Sequence, residues 1–89
     1  MNTTFLLMAQ YNGAAVILLE AVCRDYFSHL TPAQFSRKAD AGQINIPIWR
    51  AESGSQKAAR GIHINDLSRW IDDRREAAEK ERAAIYGRR

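Results

Sequence analysis

The side chains best suited to chemistry in this chain are long cationic and amide donors gathered in one stretch. Gln34, Arg37 and Lys38 lie within about one helical turn, and Arg50, Ser55, Gln56, Lys57 and Arg60 follow. Arginine offers two parallel N–H donors that match guanine, and glutamine a donor and an acceptor that match adenine. Lysine and hydroxyl donors suit phosphate oxygens, as does the Thr31 hydroxyl at a helix start. Such a set grips an anionic duplex rather than breaking a bond.

Nothing else in the sequence argues for catalysis. No Ser/His/Asp arrangement, phosphate-cradling glycine loop or paired-carboxylate site is visible. Cys23 is the only cysteine, so no internal disulfide can form, and it falls on an apolar helix face where nothing lowers its pKa. His29 and His63 have no metal-ligand spacing with it. The expectation is therefore no cofactor, no metal and no enzyme. The apolar run Ala14 to Leu19 is too short to span a bilayer, and no basic residue precedes the N-terminal apolar stretch. A cytoplasmic protein without membrane contact is expected.

Charge is distributed in the same sense. The 89 residues carry a net charge of +3, with 46% hydrophobic and 26% charged residues, an ordinary composition for one small folded domain. Residues 1–30 sum to −1, residues 31–60 to +3 and residues 61–89 to +1. The excess falls on the stretch that holds the donors, where a phosphate-facing surface needs it.

The elements that must position these donors can be read from periodicity and punctuation. Residues from Thr3-Thr4 through Ala9 predict a short helix capped by threonine and ended by the Asn12-Gly13 turn. Ala15-Val16-Ile17 predicts a first strand. Leu19, Val22, Cys23, Tyr26 and Phe27 then recur at helical spacing and give one apolar face. After the link Ser28-His29-Leu30, Thr31-Pro32 starts a helix, Gln34 can complete a capping box, and Gly42 supplies the stop. With Phe35 and Ala39 inward, Ala33, Gln34, Arg37, Lys38 and Ala41 face out.

Ile44, Ile46 and Ile48 alternate with Asn45, Pro47 and Trp49, a strand pattern in which Pro47 marks an edge or a start just beyond it. Ala51 to Arg60 reads as a flexible tip, where Ser53 and Ser55 also offer hydroxyls, and Ile62-His63-Ile64 as the return strand. Asn65 or Asp66 caps a last helix, about residues 65–86, that buries Leu67, Trp70 and Ile71 before turning highly charged. Trp49 and Trp70 read as core or half-buried packing. Helix, helix and basic hairpin in this order predict an α+β winged helix-turn-helix of the excisionase or MerR-like kind.

Several segments resemble the pyocin activator (PrtN-type) family: Phe5-Leu6-Leu7-Met8-Ala9-Gln10-Tyr11, Ile17-Leu18-Leu19-Glu20-Ala21-Val22-Cys23 and Arg37-Lys38-Ala39-Asp40-Ala41-Gly42. So do Ile46-Pro47-Ile48-Trp49-Arg50, Ser55-Gln56-Lys57-Ala58, Ile62-His63-Ile64-Asn65-Asp66-Leu67 and Ile71-Asp72. The resemblance covers about residues 4–77 and is specific as an ordered set. Leu18 stands where the family's Ile-Pro-Leu pattern has proline, Gly54 lengthens the tip, and Ala59-Arg60-Gly61 is more basic than usual.

The resemblance implies a small bacterial or prophage transcription activator of phage-tail-like bacteriocin genes that binds double-stranded DNA at a promoter element. It places Arg37 and Lys38 on the DNA-facing helix and Ser55, Gln56 and Lys57 on the hairpin. RNA polymerase or another regulator is the expected further partner, and the C-terminal helix is a candidate surface for it or for a homodimer. The alternatives are an architectural, DNA-bending protein of the excisionase kind, or a protein–protein adaptor acting through that helix.

Overall fold

The structure is a computed structural model that describes residues 2–54 and 58–87. In chain order it contains α1 (Thr3–Gln10), β1 (Val16–Leu18), α2 (Leu19–Tyr26), α3 (Pro32–Asp40), β2 (Trp49–Arg50), β3 (Arg60–His63) and α4 (Ile64–Tyr86). The strands form one antiparallel sheet in the order β1-β3-β2. Four helices, the last of them long, and this small sheet make an α+β domain of winged-helix-like form.

Local chemistry accounts for most boundaries. The predicted first helix is present, but its N-cap is Asn2, whose side chain accepts from the Phe5 amide, rather than a threonine. Asn12 and Gly13 both take positive φ and end that segment in a turn. In α3 the capping box is complete. The Thr31 hydroxyl oxygen accepts from the Gln34 amide at 3.2 Å, and the Gln34 side chain accepts from the Thr31 amide at 3.0 Å. Gly42, at φ +77, follows the end of that helix.

Three predicted features are corrected. The isoleucine alternation before Trp49 is not a strand; pairing begins only at Trp49, after Pro47. With Trp49 opposite Gly61 and Arg50 opposite Arg60, Pro47 would face His63, where it has no amide to donate. The last helix starts at Ile64, which therefore leaves the predicted return strand. Its N-cap is His63, whose Nδ1 accepts from the Asn65 amide at 3.1 Å, instead of Asn65 or Asp66. Trp49 is 42% exposed rather than packed, because it lies on the sheet face opposite buried Ile17 and Ile62.

The core joins every helix to the sheet through Leu7, Val22, Phe35, Ile62 and Leu67, all at most 2% exposed. Phe27, the C-cap of α2, lies at its centre, 4.8 Å from the Phe35 ring and 4.7 Å from that of Trp70. Cys23 is buried in this core, and burial pushes its thiol pKa up, which keeps it unreactive. Gly61 is a packing requirement: a Cβ there would lie 2.5 Å from the Ile17 carbonyl oxygen and 2.7 Å from Val16 Cγ1.

At the contact of α1 with α2, Asp25 collects donors. Arg24 Nε donates to it at 2.9 Å and the Tyr11 hydroxyl at 2.6 Å. The Arg24 and Tyr11 hydrogen bonds hold its carboxyl below the usual range. Burial, and then the bond to Asp25, push the Tyr11 phenol up. Among the described residues no helix is long and apolar enough to cross a membrane.

Candidate functional site

The winged arrangement leaves an open cleft of about 580 Å³ between α3 and the β2–β3 hairpin. Ala33, Ser36, Arg37 and Asp40 line it from the helix, and Arg50, Gly54 and Arg60 from the hairpin. The helix contribution follows from period: 33, 36, 37 and 40 share a face when Phe35 points into the core. The hairpin contribution follows from alternation. Arg60 is two residues from buried Ile62 and shares its side of the sheet, and Arg50 is the cross-strand partner of Arg60.

Each hairpin arginine is tied to α3 by one contact. Arg60 Nη1 donates to the Ser36 hydroxyl at 2.9 Å, and Ser36 is buried at 5% exposure. Arg50 Nη2 donates to Asp40 at 3.4 Å across an exposed pair. Two arginines directly opposite on neighbouring strands repel. Asp40 offsets part of that repulsion, and three guanidinium groups still face a single carboxylate along the cleft. Among the described residues Arg37 has no ion-pair partner and stands on the side of α3 farthest from Phe35.

The nine residues singled out by the sequence divide accordingly. Arg37, Arg50 and Arg60 converge on the cleft. Thr31 and Gln34 are exposed at the start of α3 and bond each other in the capping box, so the Gln34 carbonyl points back at the cap while its NH₂ remains for outward contact. Lys38 is exposed on the flank of α3 away from the hairpin and does not line the cleft. Ser55, Gln56 and Lys57 lie outside the described residues.

Ser36 and Asp40 are the residues that sequence reasoning missed. Their partners are 24 and 10 residues distant, a pairing no local pattern reports. The available signal was their shared spacing, four residues apart on the flank of α3 that turns toward the hairpin. Among the described residues, no group of three or more His, Cys, Asp or Glu side chains could hold a metal ion.

No curated protein and no solved structure matches the chain. The model of the family described as pyocin activator protein PrtN matches residues 3–78, from the start of α1 to the middle of α4. With the sheet, the first three helices and every residue lining the cleft inside that match, the chain belongs to the pyocin activator PrtN family of pyocin-gene regulators.

Proposed function

We propose that this protein binds double-stranded DNA through α3 and the wing and activates transcription of pyocin or prophage genes. The observation that carries the reading is the arginine cleft. Arg37, Arg50 and Arg60 line it against one carboxylate, and two of them are cross-strand neighbours that an incoming phosphate would relieve of mutual repulsion. Arg37, at the outermost position of α3, is placed to read guanine in the major groove, with Gln34 offering its amide donor beside it. Arg50, Arg60 and Lys38 take phosphate contacts, joined at the α3 N-terminus by the Thr31 hydroxyl and at the tip by Ser55, Gln56 and Lys57.

Asp40 gives this binding a reversible element. Its 3.4 Å pair with Arg50 is exposed, and such pairs contribute little in water. Arg50 therefore exchanges a weak internal partner for a phosphate at small cost. Arg60 differs, because its bond to buried Ser36 fixes the hairpin against the helix as well as presenting charge.

The test is a salt titration of binding to the DNA upstream of its own gene, followed by a footprint. Phosphate binding makes log K fall linearly with log salt, with a slope of about −0.9 for each phosphate neutralised. A protected site with a steep slope is the expected result. Failure to bind any duplex at low salt sinks the reading. A reporter placed downstream of the footprinted site separates activation from architecture, since bending without a change in expression favours the latter.

A further inference from the structure

Helix α4 leaves the core well before it ends. Leu67 is buried and Trp70 and Ile71 are half-buried, but from Asp72 to Tyr86 nearly every residue is exposed, about 20 Å of helix at 1.5 Å per residue. The overhang is nonetheless patterned. Trp70-Ile71, Ala77-Ala78 and Ala84-Ile85 recur at a seven-residue interval, so one apolar stripe continues from the buried face to the far end. Ile85 closes that stripe at 69% exposure.

Arg74 and Glu81 fall on the centre line of the stripe, between its apolar pairs. Four of the off-stripe charges pair within the helix, Glu76 with Lys80 at 3.5 Å and Glu79 with Arg82. Arg74 and Glu81 have no ion-pair partner among the described residues. Reading inward from both ends toward the bond between Ala77 and Ala78, Trp70 is matched with Ile85, Ile71 with Ala84, and Arg74 with Glu81.

A second, independent feature sits at the base of the overhang. An open groove of about 410 Å³ lies there, walled by Phe27, Ile44 and Trp70 and rimmed by Asp73 and Arg74. It is at the level of Trp70, the position that the reading above matches with Ile85. The groove thus offers an apolar seat where an identical helix running the other way would bring its isoleucine.

We propose that the overhang of α4 is a homodimer interface in which two copies of this chain pair antiparallel about Ala77-Ala78. Each Ile85 seats in the Phe27–Ile44–Trp70 groove of the other copy, and each Arg74 meets the other copy's Glu81. Charge fixes the direction: a parallel pair would set Arg74 against Arg74 and Glu81 against Glu81, whereas the antiparallel pair makes two complementary contacts. The alanines at the crossing let the axes approach closely. A two-fold contact of this kind uses the same patch on both copies and closes on itself.

The test is sedimentation equilibrium of the full-length protein without DNA, so its outcome is independent of the DNA-binding proposal. The expected result is a reversible monomer–dimer equilibrium. Arg74→Glu should weaken it at least ~10-fold by setting like charges together, and Arg74→Glu combined with Glu81→Arg should restore it to within about three-fold. Ile85→Asp should weaken it without changing the far-ultraviolet circular dichroism. Ala78→Cys should cross-link the two copies on mild oxidation. A monomer at all concentrations, a dimer indifferent to Arg74→Glu, no recovery in the double variant, or an overhang that binds only a different protein would each overturn the proposal.

Discussion

Arg24 and Arg50 each meet an aspartate, at Asp25 and Asp40, but the two settings differ in how the carboxylate is occupied. Asp25 takes Arg24 at 2.9 Å and the Tyr11 hydroxyl at 2.6 Å, a set of donors that closes on itself and pins α1 to α2. Asp40 takes one long contact from Arg50 while Arg37 and Arg60 share its cleft. The first arrangement is neutral and local; the second keeps a surplus of positive charge at a concave surface. An arginine–aspartate pair is therefore no guide to function until the remaining cations around the carboxylate are counted.

That contrast can be broken most directly at one arginine from each setting, Arg37 of the cleft and Arg24 beside Asp25. Arg37→Ala should weaken binding to the upstream DNA by roughly 10–100-fold and relax its sequence preference, as loss of a bidentate guanine contact does. Arg24→Ala should leave the same affinity within about two-fold. Fluorescence anisotropy with matched and scrambled duplexes reads both, and equal losses would erase the distinction between the sites.

A smaller effect is expected at Lys57. Lys57→Ala should weaken matched and scrambled duplexes alike, by several-fold, and make the salt slope shallower by about 0.9. A loss confined to the matched duplex would move Lys57 from phosphate to base contact. Asp40→Asn should act in the other direction. Removing the single carboxylate of the cleft should tighten non-specific binding by about two- to five-fold and leave thermal stability nearly unchanged, since an exposed ion pair contributes at most about 1 kcal/mol.

The smallest effect belongs to Asp25 and concerns pH. Its folded-state pKa lies below the unfolded value of about 3.9, so its contribution to stability is present above that value and fades as pH falls through the folded pKa. Asp25→Asn should lower Tm at pH 7, and the gap from the parent should close as the buffer is taken below about pH 4. A gap that is constant with pH would mean that packing, not charge, is lost at this position.

Much of the frame was legible because its signals are local. Thr31, Pro32, Gln34 and Gly42 mark the ends of α3 within a dozen residues, and the spacing of Phe35 and Ala39 fixes its inward face. Leu67, Trp70 and Ile71 did the same for α4. The strand at Ile44 to Ile48 was misread because alternation reports which side chains are covered, not whether a ladder exists. Ile46 is buried, yet Pro47 supplies no amide for the rung opposite His63. The histidine cap escaped notice because Asn65 and Asp66 are the commoner capping types and stand only two and three residues away.

The cleft was half legible. Helical period and strand alternation brought Arg37, Arg50 and Arg60 into view as donors, but their convergence depends on the register of β2 against β3, set by contacts across the fold. Ser36 illustrates the difficulty. Beside Phe35 a serine reads as a solvent-facing residue, and only the arrival of Arg60 explains why it tolerates burial.

Gly61 bears on how this wing can change over time. The two arginines sit one step outward from it and opposite one another, and the Ala51 amide donates to the Ala59 carbonyl at 2.9 Å just beyond them. With Gly61 pressed against Ile17, the aim of the arginines is set on the inner rungs of the hairpin, and the Ala51–Ala59 bond closes those rungs before the connecting turn begins. Lengthening such a turn by a residue is entropically cheap. A change in the length of that turn can therefore alter what the hairpin reaches while its grip stays in register, a division that lets specificity drift without refolding the domain.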